Sequence, residues 1–146
     1  MEQVGKQQSF QNTPNLINIC VDDIQHGELA GRMYHCYSET PLKFTNAVRL
    51  VELAENLFDM LQFPQASTKM RTFSDDVRPQ AKSFEKKLSV EEIEKERGKK
   101  GTILLYVQYR QRSTWQGEVK WVEGNRQWKF FSELELFKII HQALQY

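Results

Sequence analysis

Two stretches of the chain alternate apolar and polar residues with the period of half-buried strands, and each runs on into a helical stripe. In the later stretch Ile103, Leu105, Val107 and Tyr109 alternate with Leu104, Tyr106, Gln108 and Arg110. Trp115, Val119 and Trp121 then alternate with Gln116, Glu118 and Lys120. Successive side chains of a strand point to opposite faces, so the first member of each set is expected on a core and the second on the other face. Turn residues stand around position 112 and at Glu123-Gly124-Asn125. A short third strand over Gln127–Phe130 leads into a helix over Leu134–Leu144, with Ser132 as its N-cap.

A shift of 86 residues lays residues 17–58 on 103–144 without a gap, with 7 identities in 42 pairs. Roughly two or three are expected from average residue usage. The identities include Gly31 with Gly117 and Phe44 with Phe130, and apolar positions such as Met33 and Val119 agree as well. The pattern predicts one ββ(β)α unit occurring twice. In the first copy Gly27 makes the first turn and Asn46 is the N-cap. The helices carry apolar stripes, Val48, Val51, Ala54, Leu57, Phe58 and Leu61 in one, Leu134, Phe137, Ile140, Ala143 and Leu144 in the other. One such unit is marginal alone. The expected fold is therefore α+β, an antiparallel sheet of about six strands related by a pseudo-two-fold, with two packed helices on one side. Gly31 and Gly117 fall in mid-strand, where glycine marks a bulge or a close backbone approach, with a ligand contact as the alternative.

The chain divides into a polar arm at 1–16, the first module at 17–61, a linker at 62–102 and the second module at 103–146, both modules forming one compact domain. Within the linker, Ser89 and Glu92 form a capping-box pattern that opens a short helix near 89–98, closed by Gly98 or Gly101. Its body reads polar nearly all round, as a solvated linker helix does. Phe63, Phe73 and Phe84 are candidates to pin the linker against the sheet.

At 146 residues the chain is large enough to bury roughly 70% of the surface of its unfolded form. No apolar run approaches the roughly 20 residues of a membrane span, and the first residues lack a signal-peptide core. A cytoplasmic protein without a membrane partner is expected. The formal charge is −4 over residues 1–61 and +5 over 97–146, against +1 for the whole chain. Halves of opposite sign attract one another and steer charged partners to one end.

Candidate chemistry is sparse. His26, His35 and His141 stand in no metal-ligand spacing, and His35 follows the core alternation. Cys20 and Cys36 form no C-x-x-C pair, although a hairpin centred near Gly27 would set them as diagonal neighbours. No phosphate-binding glycine loop or nucleophile elbow is present, so no catalytic residue, metal or cofactor is assigned and a non-enzyme is expected. The second copy mixes bases with aromatics. Its candidate interaction surface is Tyr106, Arg110, Arg112, Glu118, Lys120 and Lys129.

The stretches GRMYHCY at 31–37, PLKFTNAVRLVELAENLFDMLQFPQAS at 41–67, YRQRSTWQGEVKWVEG at 109–124 and KFFSELELFKIIHQAL at 129–144 resemble a family of small uncharacterised bacterial proteins of clostridial type. That resemblance implies no activity, cofactor or site residue. The residues themselves point to a non-catalytic protein-interaction or regulatory module, acting on a protein partner or by self-association. A small inhibitor from a mobile element that acts by binding is one form of that reading. The alternative is nucleic-acid binding through the basic, aromatic second half.

Overall fold

A computed structural model describes residues 13–64, 84–111 and 114–144. Strands β1 (Ile17–Gln25), β2 (Glu28–His35) and β3 (Leu42–Phe44) precede helix α1 (Ala47–Leu61). The short helix α2 (Val90–Glu94) follows, then β4 (Gly101–Gln111), β5 (Thr114–Trp121), β6 (Arg126–Phe130) and α3 (Glu133–Leu144). The six strands form one antiparallel sheet in the order β3-β2-β1-β4-β5-β6. The fold is α+β. β1 and β4 join the acidic and basic halves at its centre.

The same pairings recur 86 positions apart. Val21 faces Gly31 and Val107 faces Gly117, while Gly31 faces Phe44 and Gly117 faces Phe130. Each first hairpin is interrupted by a bulge at the matching place, between Val21 and Asp23 and between Val107 and Tyr109. Both glycines belong to these bulges. A Cβ on Gly31 would overlap the Cys20 carbonyl oxygen, and one on Gly117 would overlap the Tyr106 carbonyl oxygen. Only a residue without a side chain lets the strands approach so closely.

One sheet face is covered by α1 and α3. Ile17, Ile19, Val21, Met33, Phe44, Ile103, Leu105, Val107, Trp115, Val119 and Phe130 meet Leu50, Leu57, Phe58, Leu136, Ile140 and their neighbours there. The α1 N-cap is Asn46, whose side chain accepts the Arg49 N–H at 2.8 Å, and Ser132 accepts from Glu135 at 3.0 Å. α1 ends in left-handed Gln62. The predicted stripes hold in the later turns, with Ala54, Leu57, Phe58, Leu61, Ile140, Ala143 and Leu144 buried, and Leu50, Leu53, Leu136 and Ile139 join them, whereas Val48 and Leu134 are 71% and 67% exposed. Both lie in the first helical turn.

The opposite, outer face carries a second, smaller core. Val90 and Ile93 of α2 pack on Leu16, Cys36 and Leu104, with Tyr34, Tyr37, Leu88 and Tyr106 around them. The linker helix is therefore docked rather than solvated, and it is shorter than its caps predict, ending at Lys95 rather than at a glycine. The capping box of Ser89 and Glu92 forms as expected. Asn18, buried on β1, fastens the helix by donating to the carbonyls of Ile93 at 2.5 Å and Glu96 at 3.1 Å. Beyond α2, Arg32 grips Asp22 through two bonds of 2.9 and 3.2 Å and donates to the Arg97 carbonyl at 2.8 Å. That guanidinium holds the Asp22 carboxyl below its ordinary range. Of the linker phenylalanines, Phe63 packs against the main core and Phe84 meets Tyr37 edge-on at 6.5 Å, while Phe73 lies outside the described residues.

Among the described residues no helix is long and apolar enough to cross a membrane.

Candidate interaction site

The bulge in β4 decides which side chains reach the outer face. An extra residue in one strand reverses the alternation beyond it. Tyr106 faces outward, but after Gln108 the parity changes, so Tyr109 pairs with Gln116 and Arg110 with Trp115. Tyr109, expected in the core, is 61% exposed on the outer face, and Arg110, expected on the surface, is 4% exposed beneath α1.

Arg110 is a buried cation. Its Nε donates to the Pro64 carbonyl at 2.6 Å, and its Nη1 donates to Asp59 at 2.9 Å and Glu55 at 3.2 Å. The guanidinium lies 5.5 Å from the Phe58 ring centroid. Glu55 also accepts from the Trp115 indole N–H. Arg110 thus ties β4 to the last turns of α1 and leaves the interaction surface proposed for it.

Of the other five predicted surface residues, Tyr106, Glu118, Lys120 and Lys129 do share the outer face, since Glu118 stands opposite both Tyr106 and Lys129. Arg112 lies outside the described residues. Glu118 and Lys129 line a groove of about 290 Å³ at the corner formed by β4, β5 and β6, together with Gln108, Tyr109, Gln116, Phe131 and others. Phe131, directly after β6, is 63% exposed. Tyr109 and Phe131 are surface aromatics that strand alternation alone does not indicate. Glycine in mid-strand at position 117 was the signal for the bulge that turns Tyr109 outward.

Glu118 is only 5% exposed although it lines the groove. Its Oε1 accepts one long bond, from the Gln127 amide at 3.4 Å. Among the described residues it forms no salt bridge, even though Lys129 is its cross-strand neighbour. Burial, then the nearby Glu118 charge, raises the Tyr106 hydroxyl above its ordinary pKa.

The remaining reactive groups sit in the interior. Arg32 stands opposite Cys20, and Cys36 lies four residues farther on, just past the end of β2, about 13 Å along the chain direction at strand spacing. The two thiols share the outer side but are not diagonal neighbours. Burial pushes the Cys20 thiol up to about 12 and raises Cys36 as well, so neither has the thiolate character of a redox site. Among the described residues no group of three His, Cys, Asp or Glu side chains is placed to hold a metal ion.

His35 is buried in the core position its alternation predicts, with Nδ1 accepting the Tyr37 N–H at 3.0 Å. Burial lowers its pKa from 6.5 to about 4. Between those values the unfolded chain takes up a proton that the folded chain refuses, so stability from this group is full above about pH 6.5 and falls as pH drops toward 4. Linkage puts the loss at about 2–3 kcal/mol by pH 4.5. Urea unfolding of the wild-type chain and of His35→Phe at pH 7.5 and 4.5 is expected to show that excess loss in the wild type alone. Equal losses in both would refute the assignment.

No protein-family model matches the chain, and neither a curated protein nor a solved structure matches it.

Proposed function

We propose that the chain is a non-catalytic protein-binding module that docks a partner on its outer sheet face, at the corner of β4, β5 and β6. The observation that carries this reading is the unequal dressing of that face. On the first half α2 and the Arg32–Asp22 clamp lie over the strands, whereas at the far corner Tyr109 and Phe131 stand exposed on either side of a groove. Exposed aromatics on a rigid sheet, around a partly desolvated centre, are the composition of an interaction hot spot. Tyr106, Glu118, Lys120 and Lys129 supply its polar surround.

Edge-to-edge association of the sheet receives less support. β3 is three residues long, and both edge strands present exposed bases, Lys43 on β3 and Arg126 and Lys129 on β6, as protected edges do. Nucleic-acid binding loses the tryptophans and Arg110 among the features that recommended it. Single-strand binding needs aromatic faces turned to solvent. Trp115, Trp121 and Trp128 instead pack toward the helices, Arg110 is buried, and Arg126 lies 4.9 Å over the Trp128 ring.

The test is a comparison of three immobilised variants in lysate of the source cell, followed by affinity measurement for whatever protein depends on the corner. A true partner is retained by the wild type and by Val48→Ser, which removes an exposed apolar residue on the other side of the sheet. Tyr109→Ser/Phe131→Ser is expected to weaken it at least tenfold. A set of bound proteins identical for all three variants would sink the proposal. Sedimentation of the same variants shows whether the partner is a second copy of the chain.

A further inference from the structure

We infer that the groove beside Gly117 is a receptor slot for a single arginine side chain of the partner, with Glu118 as its anionic base. This rests on the docking face proposed above and names the chemistry the face recognises. Three observations converge on it. Among the described residues Glu118 is a nearly buried carboxylate that forms no ion pair and accepts one long bond. A desolvated carboxylate in that condition is unfavourable until a cation reaches it. The slot also has two exposed aromatic walls, Tyr109 and Phe131, and two amide side chains, Gln108 and Gln116, whose carbonyls accept hydrogen bonds. Finally, its volume of about 290 Å³ lies at the lower limit of ligand-sized sites, roughly 300 Å³, and suits one side chain rather than a whole cofactor.

Arginine fits this set better than lysine. A guanidinium is planar, stacks on aromatic faces, bonds a carboxylate through two N–H groups and is more weakly hydrated than an ammonium. Phe131 and Tyr109 supply the faces and Glu118 the carboxylate. Gly117 lines the slot as well. Lys129 is the competing cation. It lines the slot opposite Glu118 and is exposed, so an entering arginine must displace its field. The basic excess of the second half works in the same direction, which makes the slot selective for a cation delivered by a docked protein over free cations in solution.

The experiment titrates the ¹⁵N-labelled full chain with the capped peptide Ac-Gly-Gly-Arg-Gly-Gly-NH2 and with its norleucine counterpart. Saturable shifts are expected for the amides of Gly117, Glu118, Lys129 and Phe131 with the arginine peptide only. Glu118→Gln, which keeps the shape and removes the charge, is expected to weaken binding at least tenfold. Tyr109→Leu should weaken it about threefold, and Lys129→Met should strengthen it about threefold. The inference is overturned by an absent or unsaturable response, by equal response to norleucine, or by unchanged affinity in Glu118→Gln with a wild-type spectrum elsewhere. Should the Glu118→Gln chain fail to fold, the opposite signs expected for Tyr109→Leu and Lys129→Met decide the matter. The docking reading fails separately: a partner lost with Tyr109→Ser/Phe131→Ser but indifferent to Glu118→Gln would keep the docking face and discard the arginine slot.

Discussion

Alanine at Gly117 is expected to destabilise the chain by about 3 kcal/mol or more, and alanine at Gly31 by a similar amount. The added methyl group would overlap the Tyr106 carbonyl oxygen and stand 2.9 Å from the Val107 Cα. Both neighbours are backbone, so no flexible side-chain end can swing away, and overpacking of this kind typically costs 1–3 kcal/mol, with more where the backbone must shift. For a chain of this length that corresponds to a fall in melting temperature of roughly 10 °C. Gly27 is the control. It sits in a hairpin turn with φ +80 and open space around it, so alanine there meets only the left-handed backbone cost of about 1 kcal/mol. Urea unfolding with an unchanged slope measures all three. Equal costs at positions 27 and 117 would mean that close strand approach is not the reason for glycine in the bulge.

Replacing Arg110 by alanine has the second of the two largest expected effects, about 3–5 kcal/mol, the range seen when one partner of a buried charge pair is removed. The guanidinium serves the Pro64 carbonyl, Glu55 and Asp59 at once, and its loss leaves both a void against Phe58 and a Glu55 carboxylate held only by the Trp115 indole. Lysine keeps the charge but not the fork of donors, so Arg110→Lys is expected to recover less than half of the loss. The measurement is again the free energy of urea unfolding. A cost below about 1 kcal/mol for Arg110→Ala would assign the residue to the surface after all, where such pairs contribute little.

Most of the scaffold was legible from local chemistry. Strand alternation, the turn at Gly27 and the caps Asn46, Ser89 and Ser132 each specify an element from a few neighbouring residues, and the six strands and three helices follow them. What escaped depends on contacts between distant strands. Arg110 and Tyr109 exchange faces because β4 gains one residue against β5, and alternation read along β4 alone carries no record of its partner's length. Docking of α2 escaped for a different reason. A five-residue helix needs only Val90 and Ile93 to bury a face, and two apolar positions are too few for a periodicity to register. The groove inherited both gaps: Glu118, Lys120, Lys129 and Tyr106 were read onto one surface, but its aromatic walls depended on the bulge and on the exposure of Phe131 after the last strand.

The paired bulges have a consequence for how such a surface changes. A substitution in a strand alters one side chain, whereas an unmatched residue resets the reading frame of everything after it. Both halves keep this frame shift at the same place, and each passes a different text through it. After the first, Asp23 and Ile24 follow, with Ile24 joining the core; after the second, Tyr109 emerges on the outer face and Arg110 turns inward. A single residue inserted between Gln116 and Gly117, giving Gln108 a partner, would return the tyrosine to the interior and the guanidinium to the outside, removing a wall of the groove and the tie to α1 together. Point changes at the same corner leave the frame intact, so the recognition surface can be retuned residue by residue only as long as Gln108 stays without a partner on β5.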